Sequence, residues 1–318
     1  MKIVAVDGQL LAPGDNPWTP VESLGELTVH QRTSPDQTVE RLAGADVVLT
    51  NKVVLNEAVL SQLPDLKFIG VTATGYNVVD VEYARSRNIA VSNVPVYSTD
   101  SVAQHVFACL LSFIHRPQLH HEAVLNGQWE RCEDFAFWIS PLRELAGQTF
   151  GVVGLGRIGR ATARLAAAFG MKVVAHSRRQ IDPLDTPGFQ WLSMEELFAQ
   201  SDVVSLHCPQ TPETTGLVNA DLLAKMKPTS ILVNMSRGGL INEADLTAVL
   251  NSEKIAGAIL DVVSAEPILG SNPLPTAKNI LITPHIAWST IEARKRLMQT
   301  TADNIAAFQK GEPINVVN

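Results

Sequence analysis

The stretch GVVGLGRIG, residues 151–159, decides the fold class of this chain. Its glycines Gly154, Gly156 and Gly159 follow an apolar, strand-like run and open an alanine-rich segment, Arg157–Phe169. In such a turn the first glycine permits a tight bend, the second lets the backbone approach a pyrophosphate, and the third lets helix and strand pack closely. The N–H groups at the helix N-terminus attract the anion. Glycine spacing alone is a weak signal, but this context predicts a strand, a turn and a helix that bind a dinucleotide.

The residues after the next predicted strand, Lys172–His176, bear on the choice of dinucleotide. An NAD site usually places Asp or Glu there to bind the ribose 2′-hydroxyl. This chain instead has Ser177, Arg178 and Arg179, and its next acid is Asp182. Serine and arginine can hold a 2′-phosphate through charge-assisted hydrogen bonds. The sequence therefore predicts that NADP(H) is preferred. The alternative is NAD(H), with the arginines forming a solvated surface pair.

Outside this stretch, strand-like runs alternate with helix-like runs, which is typical of parallel sheets built from βαβ units. Strands are predicted at residues 2–6, 26–30, 46–50, 66–71, 89–92, 149–153, 172–176, 203–207, 230–234, 257–261 and 280–283. Helices are predicted after the first strand, at 35–43, 56–63, about 98–115 and 157–169, and between the later strands, and a last amphipathic helix spans 290–310. The chain has 318 residues, enough for two cores. The predicted fold class is α/β, with two doubly wound parallel-sheet domains.

Charge and cysteine content limit the partners and the location of the protein. A net charge of −7 argues against a nucleic-acid or anionic-membrane surface. The three cysteines include no CxxC pair and no Cys/His cluster, so no metal site is predicted, and free thiols suit a reducing compartment. The most apolar helix candidate, residues 105–114, is too short to span a bilayer. We expect a cytoplasmic protein.

Three polar side chains follow apolar runs in the last third of the chain: Arg237 in VNMSRGG, Glu266 in LDVVSAEP and His285 in TPHIAWST. Open α/β sheets bind ligands at the carboxyl ends of their strands. The arginine fork can hold a carboxylate, and the glycines at 238–239 are expected to leave room for close approach. Histidine can donate a proton near neutral pH, and a carboxylate on its other ring nitrogen stabilises the imidazolium. The trio predicts hydride transfer to a 2-keto acid.

A hydrolase is the competing interpretation of these residues. Its nucleophile would be Ser236 or Ser289, but neither lies in a GxSxG elbow, and the glycine loop would have no task. Most of the remaining histidines, at positions 30, 105, 115, 120, 121, 176 and 207, are interpreted as packing or surface residues.

The combined motifs resemble the D-isomer-specific 2-hydroxyacid dehydrogenase family over essentially the whole chain, and within it the glycerate dehydrogenases, also called hydroxypyruvate reductases. The motifs are ATGYNVVD (73–80), YSTDSVAQH (97–105), GVVGLGRIG, HCPQTPET (207–214), VNMSRGG, LDVVSAEP and PHIAWST. The resemblance implies a discontinuous, flavodoxin-like substrate domain of residues 1–98 plus 289–318. It also implies a Rossmann cofactor domain of residues 99–288, a hinged cleft, and a homodimer formed through the cofactor domains.

The implied reaction is the reversible, NAD(P)-dependent reduction of hydroxypyruvate or glyoxylate to D-glycerate or glycolate. By resemblance, Arg237 anchors the substrate, Glu266 assists His285, and His285 donates the proton. The backbone amides of Thr74 and Gly75 receive the substrate carboxylate, with Tyr76 and Trp138 as pocket walls or, alternatively, as packing residues. The implied cofactor residues are Gly154, Gly156, Arg157, Ile158, Gly159, Ser177, Arg178, Arg179, His207, Pro209, Thr214 and Asp261, with Ser98 and Val102 near the nicotinamide.

Two departures and two alternatives accompany the resemblance. Ala73 stands where the family often has glycine, and the SRR sequence replaces the usual acid. Related formate dehydrogenases carry glutamine at the position of Glu266, which disfavours formate. The alternatives are a dehydrogenase for another D-2-hydroxy acid, such as D-lactate, and a dinucleotide-sensing corepressor on the same scaffold.

Overall fold

The chain divides into two units, one of residues 1–98 and 289–318 and the other of residues 99–288. The computed structural model describes residues 1–12 and 14–318. The first unit is discontinuous, because the chain leaves it after Ser98 and returns at Ser289.

Each unit contains one parallel sheet. The first sheet has the order β2-β1-β3-β4-β5, and the second has the order β12-β11-β10-β9-β6-β7-β8. The strands of the first are β1 (Lys2–Ala5), β2 (Glu26–Val29), β3 (Val47–Thr50), β4 (Phe68–Val71) and β5 (Ala90–Ser92). Those of the second are β6 (Thr149–Val153), β7 (Lys172–His176), β8 (Gln190–Trp191), β9 (Val203–Leu206), β10 (Ile231–Asn234), β11 (Gly257–Leu260) and β12 (Ile280–Ile282). The first order is flavodoxin-like, and the second contains the order of dinucleotide-binding domains.

Helices connect the strands. They are α1 (Thr19–Glu22), α2 (Thr38–Leu42), α3 (Glu57–Leu60), α4 (Val81–Ser86), α5 (Thr99–His115), α6 (Pro117–Leu125), α7 (Arg157–Ala168), α8 (Met194–Gln200), α9 (Ala220–Leu223), α10 (Glu243–Asn251) and α11 (Ile291–Gln309). Short 3₁₀ turns lie at Pro35–Gln37, Gly238–Leu240 and Leu274–Thr276.

The central strands of the second sheet are mostly apolar because both of its faces are covered there. Every residue of β9 and β10 is buried. One core contains Phe107 of α5 and Phe150 of β6, whose rings stack with centroids 5.8 Å apart. The other core contains Leu197 of α8 and Leu246 of α10. Continuous apolar strands are what a parallel sheet between two helix layers requires.

The C-terminal helix α11 packs in the first unit, which its periodicity alone did not indicate. The ring of Phe308 lies 4.9 Å from that of Phe68 on β4. Arg294, only 7% exposed, forms a two-pronged ion pair with Asp15. This helix completes the cover of the first sheet after the chain has built the second unit.

The predicted α/β class with two parallel-sheet domains is confirmed. The sequence did not indicate α4, α6 or the two-residue strand β8. Helix α6 begins at Pro117, directly after Arg116 turns the chain with a φ of 47°. Within the described residues, no helix is both long and apolar enough to cross a membrane. The cysteines Cys109, Cys132 and Cys208 are free thiols.

Candidate active site

The carboxyl ends of β10, β11 and β12 lie side by side at one edge of the second sheet. The register pairs Asn234 with Leu260 and Leu260 with Ile282. Neighbouring strands in a sheet are about 4.8 Å apart. The segments that carry Arg237, Glu266 and His285 therefore emerge from three adjacent strands at the same level.

The predicted pairing of Glu266 with His285 is present in the structure. His285 Nδ1 lies 2.6 Å from Glu266 Oε2, and the two side chains are 29% and 31% exposed. An ionised carboxylate only accepts hydrogen bonds, so Nδ1 carries the donated proton. The other carboxylate oxygen accepts from the backbone N–H of Val263 at 3.3 Å. The proton that the ring can exchange with a substrate is then the one on Nε2.

His285 lies in a backbone conformation that needs support, because its φ is 55°. For a residue other than glycine this costs on the order of 1–3 kcal/mol. The His285 N–H donates to the carbonyl oxygen of Asp261 at 2.8 Å. The Asp261 carboxylate, 1% exposed, accepts from the N–H groups of Ile286 at 2.9 Å and Ala287 at 2.8 Å. Asp261, a cofactor candidate in the sequence, thus also holds the loop of His285; its contact with the nicotinamide stays a prediction.

Arg237 is exposed and begins the 3₁₀ turn after β10. Its carbonyl oxygen accepts from Asn234 Nδ2 at 2.8 Å. A Cβ on Gly238 would lie 1.9 Å from the Val263 carbonyl carbon, and one on Gly239 would lie 2.4 Å from Gln210 Nε2. Gly238 therefore makes room for the backbone at Val263, and Gly239 makes room for the Gln210 side chain; the ligand approach at these glycines stays a prediction.

The hydrolase interpretation gains nothing from the structure. The Ser236 hydroxyl donates to the carbonyl oxygen of Cys208 at 2.7 Å, which engages it in holding two loops together. Ser289 belongs to the first unit, whereas His285 belongs to the second.

The glycine turn fits a bound pyrophosphate. Gly154 has a φ of 96°, and a Cβ there would lie 2.7 Å from the backbone nitrogen of Cys208. A Cβ on Gly159 would lie 2.2 Å from the Gly154 carbonyl oxygen, whereas one on Gly156 would meet open space. The turn lies between β6 and β9, where the strand order reverses and α/β sheets bind ligands. Two glycines are thus required by packing, and Gly156 exposes the backbone beside the N-terminus of α7.

The SRR segment follows the end of β7, as predicted, and Arg178 and Arg179 are exposed. A hydrogen bond from the Thr211 hydroxyl holds the pKa of Glu213, in the segment after β9, below its usual value; a backbone hydrogen bond and, last, the charge of Arg178 act in the same direction. Arg160 of α7 donates to the carbonyl oxygen of Asp182 at 2.6 Å and fixes the chain after the SRR segment.

Two candidates after β9 use their side chains within the protein. His207 Nε2 lies 2.9 Å from the Ser205 hydroxyl, and burial lowers the pKa of His207 to about 4. The Thr214 hydroxyl accepts from the Thr211 N–H at 2.7 Å and donates to the Pro209 carbonyl oxygen at 2.8 Å. His207 Nε2 and the Thr214 hydroxyl are therefore already hydrogen-bonded within the protein. A cofactor would contact these two residues mainly through their backbone atoms or the apolar parts of their side chains.

The other cofactor candidates differ in exposure. Arg157 at the start of α7 is exposed, and Ile158 is half-buried against the core. Val102 on α5 is 5% exposed and packs in the core, and Ser98 is 8% exposed. Within the described part of the chain, no three His, Cys, Asp or Glu side chains are grouped to hold a metal ion.

The substrate-binding candidates Thr74, Gly75 and Tyr76 follow β4 in the first unit. The Thr74 hydroxyl donates to the Val94 carbonyl oxygen at 2.9 Å, and Asn93 Nδ2 donates to the Thr74 carbonyl oxygen at 2.7 Å. These bonds brace the loop on both sides. Among the described residues, the N–H groups of Thr74 and Gly75 donate to no protein acceptor. Tyr76 is 38% exposed.

Sequence reasoning missed two residues beside the loop of His285. His105 on α5 places Nε2 3.2 Å from the hydroxyl of Thr283, and Thr283 donates to Asp261 at 2.6 Å. His105 belongs to the group of histidines that the sequence interpreted mostly as packing or surface residues. One indication of a shared environment was present in the sequence, because His105 and Cys109 are four residues apart and so lie on the same face of α5. In the structure, Cys109 Sγ lies 3.4 Å from His105 Nε2.

The chain is similar to known dehydrogenases and reductases. Residues 107–287 match the family model described as D-isomer specific 2-hydroxyacid dehydrogenase, NAD binding domain. A hydroxypyruvate reductase from Blautia hydrogenotrophica is 48% identical over 321 residues, with 100% of both chains covered. A glycerate dehydrogenase from Methylorubrum extorquens is 39% identical, with 89% of each covered. The structure of an NADPH-dependent glyoxylate/hydroxypyruvate reductase from Sinorhizobium meliloti, in complex with NADP and malonate, has a TM-score of 0.82 at 29% identity and covers 99% of this chain and 96% of its own.

Proposed function

The chain belongs to the D-isomer specific 2-hydroxyacid dehydrogenase family, and from that premise we propose that it reversibly reduces hydroxypyruvate or glyoxylate to D-glycerate or glycolate. Membership makes it an oxidoreductase that uses a pyridine nucleotide and acts on small 2-hydroxy or 2-keto acids. The observation that carries the proposal is the bond of 2.6 Å between His285 and Glu266, in the same unit as a glycine turn shaped for a dinucleotide. The names of the relatives favour the two substrates.

In the proposed reduction, different residues of this chain bind the substrate and donate the proton. The nicotinamide, when bound in reduced form, supplies the hydride for the carbonyl carbon. Arg237 binds the substrate carboxylate and polarises the carbonyl, and the amides of Thr74 and Gly75 receive the same carboxylate. His285 donates the proton on Nε2 to the carbonyl oxygen, and the Glu266 charge stabilises the imidazolium until then.

Each unit has its own part in this proposal. Residues 1–98 and 289–318 form the substrate domain, and residues 99–288 form the cofactor domain. The two unbonded amides after β4 support the first assignment, since amides without a protein partner suit a carboxylate. Tyr76 and the 71% exposed Trp138 are assigned as pocket walls, with packing as the alternative role.

Turnover with a panel of 2-keto acids tests the proposal. Hydroxypyruvate, glyoxylate and pyruvate are each offered with NADPH and with NADH, and oxidation of the cofactor is followed by absorbance. We expect the highest kcat/KM with hydroxypyruvate or glyoxylate. A clear preference for pyruvate would support the D-lactate-like alternative, and cofactor binding without any turnover would support the corepressor. His285→Ala is the control, and near-normal turnover of that variant would remove histidine as the proton donor.

NADP(H) is the preferred cofactor in this proposal. Ser177, Arg178 and Arg179 follow β7 where an acid would bind the ribose of NAD, and both arginines are exposed to receive a 2′-phosphate. We expect Arg178→Glu to lower kcat/KM with NADPH much more than with NADH. Arg164→Glu, at an exposed position farther along α7, is the matched charge reversal. Equal losses with both cofactors in Arg178→Glu would remove the 2′-phosphate argument.

A homodimer through the cofactor domain completes the proposal. Helix α6 and the segment after it expose large apolar side chains, including Leu125 at 72%, Trp129 at 52%, Phe135 at 93% and Trp138 at 71%. A contiguous set of such side chains marks an interaction surface. Light scattering should give twice the chain mass, and Phe135→Ser should weaken the association. A monomeric wild-type protein at micromolar concentration would contradict the dimer.

A further inference from the structure

The first turns of α5 face the loop that carries His285. Ser101 and His105 are four residues apart and so lie on one side of the helix. The Ser101 hydroxyl donates to the carbonyl oxygen of Ala287 at 2.6 Å, and His105 Nε2 lies 3.2 Å from the hydroxyl of Thr283. The helix therefore holds the loop at both of its ends, residues 283 and 287.

The direction of the hydrogen bonds follows from counting protons. Thr283 has one hydroxyl proton, and the bond of 2.6 Å to the carboxylate of Asp261 uses it. Its oxygen can then only accept from His105, so the proton of the His105 ring lies on Nε2. Burial, with a smaller contribution from Asp261, raises the pKa of the neighbouring Cys109 thiol to about 11, and this keeps the thiol neutral. The chain of donors runs from His105 through Thr283 to Asp261.

Asp261 connects this chain to the catalytic histidine. Its buried carboxylate receives Thr283 and the amides of Ile286 and Ala287, and its carbonyl oxygen receives the His285 N–H. Asp261 Oδ1 also lies 3.7 Å from His105 Nε2. A buried carboxylate turns toward the donors that surround it. Removal of the His105 N–H donor would therefore change the orientation of the Asp261 carboxylate. Asp261 is the residue that holds the His285 loop, in which His285 has a φ of 55°.

We propose that His105 is a positioning residue for proton transfer, acting through Thr283 and Asp261 on the loop of His285. The inference rests on the proposed function, since it concerns the same proton donor. His105 itself neither donates to the substrate nor contacts it in this proposal. Its contribution is to hold Thr283 in the rotamer that donates to Asp261.

Variants of the chain separate positioning from packing. His105→Met fills similar space without a donor, and Thr283→Val removes the connecting hydroxyl with little change in shape. His105→Gln keeps an N–H donor near the position of Nε2. His115→Met makes the same chemical change at an exposed site at the end of α5. Each protein is assayed with hydroxypyruvate at saturating NADPH, its thermal midpoint Tm is measured, and amide hydrogen exchange is followed in the peptide that spans residues 283–288.

We expect His105→Met and Thr283→Val to lower kcat about 10- to 100-fold, the scale set by a displacement of about 1 Å at a reacting group. The KM for NADPH and the Tm should change little, and exchange in the 283–288 peptide should accelerate. His105→Gln should recover most of kcat, and His115→Met should match the wild type. Normal kcat and exchange in His105→Met would overturn the inference. A loss of kcat that follows Tm and is not recovered by glutamine would overturn it too.

Failure of the proposed function gives a different result. If the wild-type protein reduced no 2-keto acid, the reaction assigned to the site would be wrong, whatever the variants do. Hydrogen exchange would then still decide whether His105 holds the 283–288 loop. Unchanged exchange in His105→Met would reject that coupling independently of any activity.

Discussion

Replacing Glu266 with glutamine should lower kcat for reduction without abolishing it. In the wild type, the Glu266 carboxylate accepts from His285 Nδ1 at 2.6 Å and stabilises the charged ring. Glutamine can still accept that hydrogen bond but carries no charge. The ring should therefore keep its orientation, and its charged, proton-donating form should be less stable.

The size of the loss follows from the strengths of the two bonds. A hydrogen bond to a charged group contributes about 1.5–3 kcal/mol, and a neutral one contributes about 0.5–1.5 kcal/mol. Both side chains are about a third exposed, at 29% and 31%, so solvent screens the pair and the lower end of each range applies. The difference is then about 1 kcal/mol, which corresponds to about a fivefold loss of kcat.

The assay is kcat for hydroxypyruvate reduction at saturating NADPH, with the cofactor Kd measured by fluorescence. We expect an unchanged Kd and about a fivefold loss of kcat. Glu253→Gln is the matched control, since Glu253 forms an exposed ion pair with Lys278. An unchanged kcat in Glu266→Gln would refute the argument that the carboxylate charge sustains the proton donor.

Three further predictions concern other parts of the molecule. Arg237→Lys should raise the KM for hydroxypyruvate and lower kcat/KM about tenfold or more, because lysine lacks the two-pronged fork; unchanged kinetics would contradict the anchoring role. Gly159→Ala should lower Tm, since its Cβ would lie 2.2 Å from the Gly154 carbonyl oxygen. Gly156→Ala should instead keep Tm and weaken NADPH binding, and the reverse pattern would show that the two roles were misassigned. Burial lowers the pKa of His207 from 6.5 to about 4, so the unfolded chain binds a proton that the folded chain does not as pH falls from 6.5 toward 4. The free energy of unfolding should decrease over that range and be level above it, and His207→Gln should remove this part of the decrease in a urea titration.

Most helices and strands could be predicted from the pattern of apolar residues and glycines within each segment. Residues 150–153 form an unbroken run without a polar side chain and lead into three spaced glycines, so the strand and the helix after it were predicted within a residue of their observed ends. Strand β8 has only two residues and α4 has six, and elements so short leave little periodicity to detect. The cover of the first sheet by α11 joins parts of the chain more than 200 residues apart, as in the contact of Phe68 with Phe308.

The sequence by itself determined the class of chemistry. The glycine spacing, the SRR segment and the three polar residues after apolar runs are local features, because a strand end or a turn is specified by the few residues around it. The tertiary structure decided which of these residues act together. Glu266 meets His285 across 19 residues, and His105 meets Thr283 across 178 residues. Such contacts depend on the order of strands in the sheet and on the helix that packs beside it. The role of Asp261 as the support of the catalytic loop, and the place of His105 behind it, follow from that order, since hydrogen bonds between distant segments form only where the fold brings a donor to an acceptor.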